Sequence, residues 1–116
     1  MSRILIALQG HLFRRSVLNA TFNYCRDMKF NVSVLLVDSE DEPHPLLMDF
    51  LARLKQAGLN GSPYRQTGPL GQAILRHANR FKDIRLILVD NMKHWGAGVS
   101  LSALSQPVGL LSAASS

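Results

Sequence analysis

Cysteine is almost missing from this chain, which holds one such residue, Cys25, in 116. A single thiol cannot form an internal disulfide, and no second cysteine stands nearby to share a metal ion. Cys25 falls at helical spacing from Thr21 and close to Met28, on a face that reads as apolar. We therefore predict a buried, unreactive thiol and not a nucleophile.

Long hydrophobic runs are missing as well. No run approaches the roughly 20 apolar residues needed to cross a bilayer. The first residues carry one arginine and then about five apolar residues, fewer than a secretory signal requires. The sequence also has no internal repeat and no low-complexity segment. We predict one domain over residues 1–116, in the cytoplasm.

A dense run of basic residues is also lacking, although the net charge is +5. Four of the eight acids stand together in "DSEDE", residues 38–42. The lysines and arginines are spread over every predicted element, without the aromatic residues that would alternate with them in a typical nucleic-acid surface. The sequence pattern therefore predicts against a nucleic-acid partner.

Buried strands are what the chain does contain. Three apolar runs are typical of strands that are covered on both faces: "RILIAL" from Arg3, "NVSVLLVD" from Asn31 and "IRLILVD" from Ile84. The polar stretch 60–67 carries Pro63 and predicts a short edge strand. The segment Val108 to Leu111 predicts the last strand, at an exposed edge of the sheet.

Three helices are predicted between the strands from apolar residues that recur at three and four. Gly58 is expected to cap the second helix, and Thr67 or Gly68 the third, with Pro69 in its first turn. The predicted buried stripes are Phe13, Val17, Ala20, Thr21, Tyr24 and Met28; Leu46, Leu47, Phe50, Leu51 and Leu54; and Leu70, Ala73, Ile74, His77, Ala78 and Phe81.

The alternation of strands and helices predicts an α/β fold: an open, five-stranded, mostly parallel sheet with helices on both faces. Ligands of such sheets bind beyond the carboxyl ends of the strands. The candidate site residues therefore follow the first, second and fourth strands. They are Gln9, Gly10, His11, Asp38 and the stretch from Asp90 to Gly98, "DNMKHWGAG".

In the order and spacing of these segments the chain resembles the universal stress protein family. The residues that carry the resemblance are "ILIALQG", "VLLVD", "GPLGQAILRHANRFKDIRLILVD" and "SQPVGLL". The resemblance implies the strand order 3-2-1-4-5 and a bacterial, non-catalytic stress-response or regulatory protein. It also implies a homodimer formed through the last strand, and ATP or AMP as the possible ligand.

The chain departs from the family where nucleotide binding is concerned. Members that bind ATP have an aspartate where this chain has Gln9, and a Gly-x2-Gly-x9-Gly-(Ser/Thr) motif after the fourth strand. Here that stretch starts Asp90-Asn91-Met92-Lys93, and Gly96-x-Gly98 follows late. The segment before Pro107 is also about ten residues short against ordinary helix and loop lengths. We predict a shortened or missing fourth helix and a decayed nucleotide site.

Two alternatives stay open at the sequence level. A variant loop around Gly96 and Gly98 could still cradle a phosphate through backbone N–H groups, with Lys93 offering charge and Ser100 or Ser102 a hydroxyl. The nucleotide-binding residues of that alternative are Gln9, Gly10, Val37, Asn91, Gly96, Gly98 and Ser100.

The second alternative is a small enzyme or metal protein that uses His11, Asp90 and His94, with Asp38 or Gln9 beside them. No His-x-x-x-His or Cys-x-x-Cys spacing supports it, so the prediction is no metal.

No acid follows the first strand as phosphoryl acceptance would need, and no Gly-x-Ser-x-Gly elbow is present. The prediction is no enzyme, with Trp95 packed over the sheet edge instead of serving as an exposed anchor for a partner.

Overall fold

The structure of the chain is a computed structural model that describes residues 2–9, 15–37, 45–89, 95–96 and 99–110. Its centre is a five-stranded sheet in the order β3-β2-β1-β4-β5 with every neighbouring pair parallel. The strands are β1 (Arg3–Gln9), β2 (Asn31–Val37), β3 (Gly61–Gln66), β4 (Ile84–Val89) and β5 (Val108–Leu110). The predicted α/β class and strand order are confirmed.

Helices cover both faces of this sheet. They are α1 (Arg15–Met28), α2 (Pro45–Gln56) and α3 (Leu70–Arg80). One core cluster joins β1 and β2 to α1 and α2, and the other joins the opposite face of the sheet to α3. In the described part of the β4–β5 connection, the helical structure is a single 3-10 turn, Leu101–Ala103. This agrees with the predicted reduction of the fourth helix.

The register of the central strands explains why they are apolar throughout. Along β1, Ile4, Ile6 and Leu8 point into the cluster under α1 and α2, while Leu5 and Ala7 point into the cluster under α3. Successive side chains of a strand alternate between faces, so a strand with both faces covered needs an unbroken apolar run.

Two of the predicted helix stripes are confirmed. In α2 the buried residues are Leu47, Phe50 and Leu54, and in α3 the buried set runs from Leu70 to Ala78 and includes His77. Gly58 follows α2 with a φ of 80° and its N–H donates to the Lys55 carbonyl at 3.0 Å. That left-handed conformation is the usual glycine ending of a helix.

The predicted stripe of α1 is wrong in part. Thr21 is buried as expected, but Tyr24 and Met28 are 41% and 51% exposed. The residues that enter the core with Thr21 are Leu18, Phe22 and Cys25. The physical reason is α2, whose Arg53 guanidinium lies 4.3 Å from the centre of the Phe22 ring and donates a hydrogen bond to Asn19.

The prediction for Cys25 itself is confirmed. Its side chain is fully buried, and burial raises the pKa of the thiol to about 12. A thiol with that pKa carries almost no thiolate, the reactive and metal-binding form, at neutral pH.

The two outer strands differ. β3 pairs with β2 on one side and contains Pro63, which lacks an N–H for a further ladder. β5 pairs with β4 over Val108–Leu110, and Leu111, the last residue of the predicted strand, lies outside the described residues. No helix that the structure describes is long and apolar enough to cross a membrane.

Candidate functional site

The carboxyl ends of β1, β2 and β4 meet at one edge of the sheet, as the sequence predicts. Gln9 pairs with Val37, and Ala7 pairs with Val89, so the three strands end side by side. Val37 is fully buried and belongs to the same core cluster as Trp95. This edge is where the fold would place a ligand.

Several predicted site residues fall outside the described residues, and their roles stay predictions. They are Gly10, His11, Asp38, Asp90, Asn91, Met92, Lys93, His94 and Gly98. Gln9 is described as part of β1. The other candidate site residues that the structure describes are Val37, Trp95, Gly96 and Ser100.

Trp95 is buried at this edge, with 8% of its surface exposed. Its indole Nε1–H donates to the Val99 carbonyl at 2.6 Å, and its own carbonyl accepts a hydrogen bond from the Gly71 N–H at 2.9 Å. A buried indole whose N–H has found a partner is a stable packing arrangement. The residue is a packing element of the core, as predicted, and not an exposed anchor.

Gly71 makes this docking possible. A Cβ atom placed on Gly71 would lie 2.8 Å from Cε2 and Nε1 of Trp95 and 2.9 Å from the Trp95 carbonyl oxygen. Real Cβ atoms do not approach carbon and nitrogen atoms so closely, so the indole rests directly on the backbone of α3. This contact was not predicted from the sequence, where its one local signal is a glycine in the first turn of a helix.

Gly96 continues the same docking. Its φ of 91° is a left-handed conformation that glycine adopts readily, and a Cβ there would lie 2.7 Å from Cβ of Pro69. Trp95 and Gly96 therefore lie against Gly71 and Pro69, the residues at the start of α3. The described part of the loop after β4 is fastened to this helix.

The start of α3 differs from the prediction. The N-cap residue is Pro69, in an extended conformation and without a side-chain hydrogen bond to the helix, so neither Thr67 nor Gly68 caps it. The Trp95 carbonyl accepts the Gly71 N–H in place of a capping side chain. Free N–H groups at the start of a helix attract anions, and here one of them is already bonded within the protein.

Ser100 and Ser102 come together beyond Trp95. Their hydroxyl oxygens are 2.8 Å apart, and both residues are exposed around the 3-10 turn. Three residues in a 3-10 turn present fewer converging N–H groups than the start of a full helix. The two exposed hydroxyl groups can bond to a ligand. The 3-10 turn, however, is too short to present the set of free N–H groups found at the start of a full helix.

Among the residues that the structure describes, no group of three or more His, Cys, Asp or Glu side chains is placed to hold a metal ion. His11, Asp90 and His94, on which the metal alternative depended, lie outside those residues.

A second polar cluster lies at the opposite, amino-terminal edge of the sheet, around His77. The imidazole is buried, with 2% exposed, and its Nε2 has no hydrogen-bond partner. The rings of Tyr64 and Phe81 lie 4.7 and 4.6 Å from it. Burial first, then the charges of Arg3 and Arg80, lower the pKa of His77 to about 4, so the ring is neutral at pH 7.

Arg3 organises this cluster. Its guanidinium donates to the buried hydroxyl of Ser33 at 2.7 Å and to the Asp83 carboxylate at 3.2 Å, and it lies 4.7 Å from the centre of the Phe81 ring. Every bond ties the start of β1 to a neighbouring element. These contacts make the cluster a structural network.

Comparison with known proteins gives the fold a precedent. No protein-family model matches the chain, and no curated protein matches it. A structure of a universal stress protein family member from Burkholderia pseudomallei superposes with a TM-score of 0.63 at 18% identity and covers 94% of each chain.

Two further structures agree. A universal stress protein from Archaeoglobus fulgidus gives a TM-score of 0.62 at 15% identity, over 95% of this chain and 93% of that one. A universal stress protein family member from Arabidopsis thaliana, solved with AMP bound, gives 0.61 at 12% identity, over 95% and 90%. The agreement extends over nearly the full length of each chain, and this protein has the fold of the universal stress proteins.

Proposed function

We propose that the protein is a non-catalytic regulatory or stress-response domain of the universal stress protein type, with a nucleotide site that has decayed. The observation that carries the proposal is the position of Trp95, buried at the carboxyl edge of the sheet and fastened to Gly71 at the start of α3.

Physical requirements of nucleotide binding support this proposal. A phosphate needs several converging N–H groups in an open approach. Here the Gly71 N–H is bonded to the Trp95 carbonyl, and Gly96 packs against Pro69. An indole that belongs to the core cannot leave without exposing a large apolar surface, which opposes reopening of the loop.

The alternative is an AMP- or ATP-binding sensor. The AMP bound to the Arabidopsis structure is compatible with this alternative, because that protein shares the fold. Its residues would be Gln9, Gly10, Val37, Asn91, Gly96, Gly98 and Ser100. The exposed hydroxyl groups of Ser100 and Ser102 support this second candidate.

We also propose a homodimer through β5, with no catalytic role for either subunit. β5 is the last strand in the sheet order and follows Pro107, whose carbonyl accepts the Ile87 N–H at 3.0 Å. In the part of the chain that the structure describes, no strand pairs with its other side, and outer strands of this kind pair readily with a second copy.

Thermal denaturation with AMP and with ATP at millimolar concentration tests the nucleotide question. A ligand at ten times its Kd adds about 1.4 kcal/mol of stability and raises Tm by about 5 °C for a domain of this size. We expect no rise in Tm. The Arabidopsis protein under the same conditions is the positive control, and a rise of several degrees in this protein with either nucleotide would establish the sensor instead.

A further inference from the structure

The fold gathers basic side chains that are scattered along the sequence. All three helices run antiparallel to the strands, so each helix ends at the edge where the strands begin. The helix ends, the following turns and the strand starts all carry cations there. The members of this basic end are Arg3, Arg26, Lys29, Lys55, Arg80, Lys82 and Arg85.

Few carboxylates offset the basic end. Among the described residues, the acids there are Asp83, paired with Arg3 at 3.2 Å, and Asp27, paired with Arg26 at 3.3 Å. Arg3 is half-buried, and the other six cations are exposed. The low pKa of His77, due to burial and then to Arg3 and Arg80, agrees with a positive potential at this end.

Helix dipoles account for only part of this arrangement. Cations in the last turn of a helix complement its partial negative charge, which explains Arg26, Lys55 and Arg80. Arg3 is already held by Asp83, Ser33 and Phe81. Arg85 lies on β4 and Lys82 lies in the turn before it, where no such dipole needs a cation. These two exposed residues are the surplus that points to a partner.

The side chains are placed on both faces of the sheet. On one face, Lys29 follows α1 and Lys55 lies in the last turn of α2. On the other face, Arg80 ends α3 and Lys82 follows it. From β3 to β4 the edge spans three strand spacings, about 14 Å. Lys82 also borders a hollow of about 130 Å³ whose polar lining is Asn79, Ser105 and Gln106.

We propose that this basic end binds a nucleic acid through its phosphate backbone. Four of its seven cations are arginines, whose planar guanidinium matches phosphate oxygens in two-point contacts. Cations lie on both faces of the sheet at this end, which suits contacts to successive phosphates, and phosphate contacts carry no base-sequence information. Binding is therefore independent of sequence and steeply dependent on salt.

An anionic membrane is the less suitable partner. Stable attachment to a bilayer needs an inserted apolar surface or a lipid anchor in addition to charge. Of the exposed large apolar side chains in the described chain, Met28 is the one that lies beside these cations. A single methionine is a small apolar contribution.

The test uses fluorescence anisotropy with a labelled DNA duplex of about 20 base pairs at several salt concentrations. Lys82→Ala/Arg85→Ala removes two exposed cations of the basic end. Arg65→Ala/Arg76→Ala is the matched control, because it removes the same charge from exposed positions on β3 and within α3. Equal Tm values ensure that both variants fold.

We expect micromolar binding by the wild type at low salt and a linear fall of log K with log salt. The basic-end variant should bind about tenfold more weakly, with a salt slope smaller by about two, and the control should stay within about twofold. Equal losses in both variants would show a general charge effect and overturn the proposal. So would an absence of DNA binding, with or without binding to vesicles that contain phosphatidylserine.

Discussion

At the scale of single residues, the imidazole of His77 links the fold to pH. Its pKa in the folded protein, about 4, lies below the ordinary value of 6.5, chiefly because the ring is buried. The charged groups that face it are Arg3 and Arg80, and the ring of Tyr64 packs on it. The unfolded chain therefore binds a proton more readily than the folded protein between these two pH values.

His77 should make the protein lose stability in mild acid. Its contribution is fully present above pH 6.5 and is lost as pH falls towards 4, by about 3 kcal/mol at most. His77→Phe keeps an aromatic ring and removes the titration. Urea unfolding from pH 7.5 to 4.5 should show a smaller loss of stability in the variant than in the wild type. Equal pH dependence in the two proteins would contradict the role assigned to His77.

A second residue-scale prediction concerns Gly71. Alanine normally stabilises a helix relative to glycine by about 1 kcal/mol. Here the added Cβ meets the Trp95 indole and carbonyl, so Gly71→Ala should destabilise the protein by about 1–3 kcal/mol. The emission of Trp95, the single tryptophan, should shift to longer wavelength as the indole gains solvent.

Gln72→Ala is the control for Gly71→Ala, since Gln72 is exposed on the same turn and its change should stay within about 0.5 kcal/mol. An unchanged or more stable Gly71→Ala protein would mean that Trp95 does not rest on this helix.

At the scale of elements, the strands and two helices were predictable from local patterns, and α1 shows the limit of that approach. Apolar residues occupy two adjacent faces of α1, one with Leu18 and Phe22, the other with Tyr24 and Met28. Periodicity alone cannot choose between such faces. Arg53 of α2 settles the choice through a contact 31 residues away along the chain, at Phe22.

The candidate site shows the same limit. Its location at the carboxyl edge followed from the parallel sheet, since the strand ends must lie together. The contact of Trp95 with Gly71 could not be predicted from the parallel sheet. It joins α3 to the loop after β4, and its one trace in the sequence is a glycine. Long-range contacts of this kind have no sequence period to reveal them.

The outer strand β5 carries an element-scale prediction about assembly. In a parallel ladder the backbone groups of successive residues alternate between the two sides of a strand. The Pro107 carbonyl points towards β4, where it accepts the hydrogen bond from the Ile87 N–H. The N–H of Val108 is thus expected to face the open side. Val108→Pro removes it without a change to the β4 ladder and should convert a dimer to a monomer in light scattering.

Arg65→Ala on β3, the other outer strand, is the control for this assembly test and should leave the dimer intact, because Pro63 already interrupts that edge. A wild-type monomer, or a dimeric Val108→Pro protein, would contradict pairing through β5.

At the scale of the whole molecule, the two edges of the sheet have opposite characters. The carboxyl edge, where the fold would accept a ligand, has a buried Val37 and a fastened Trp95. The amino edge carries the basic end and its surplus cations. In this account the fold is the same as in the universal stress proteins, but the binding surface is the amino edge of the sheet and not the carboxyl edge.

The indole N–H signal of Trp95 in a proton–nitrogen NMR spectrum tests the decayed nucleotide site most directly, because this is the single tryptophan and it lies at the proposed site. Its bond to the Val99 carbonyl should protect the proton from exchange, and millimolar AMP or ATP should leave the signal and the amides of Gln9 and Val37 unmoved. A nucleotide-dependent shift of the indole signal together with those two amides would contradict the claim that the site has decayed.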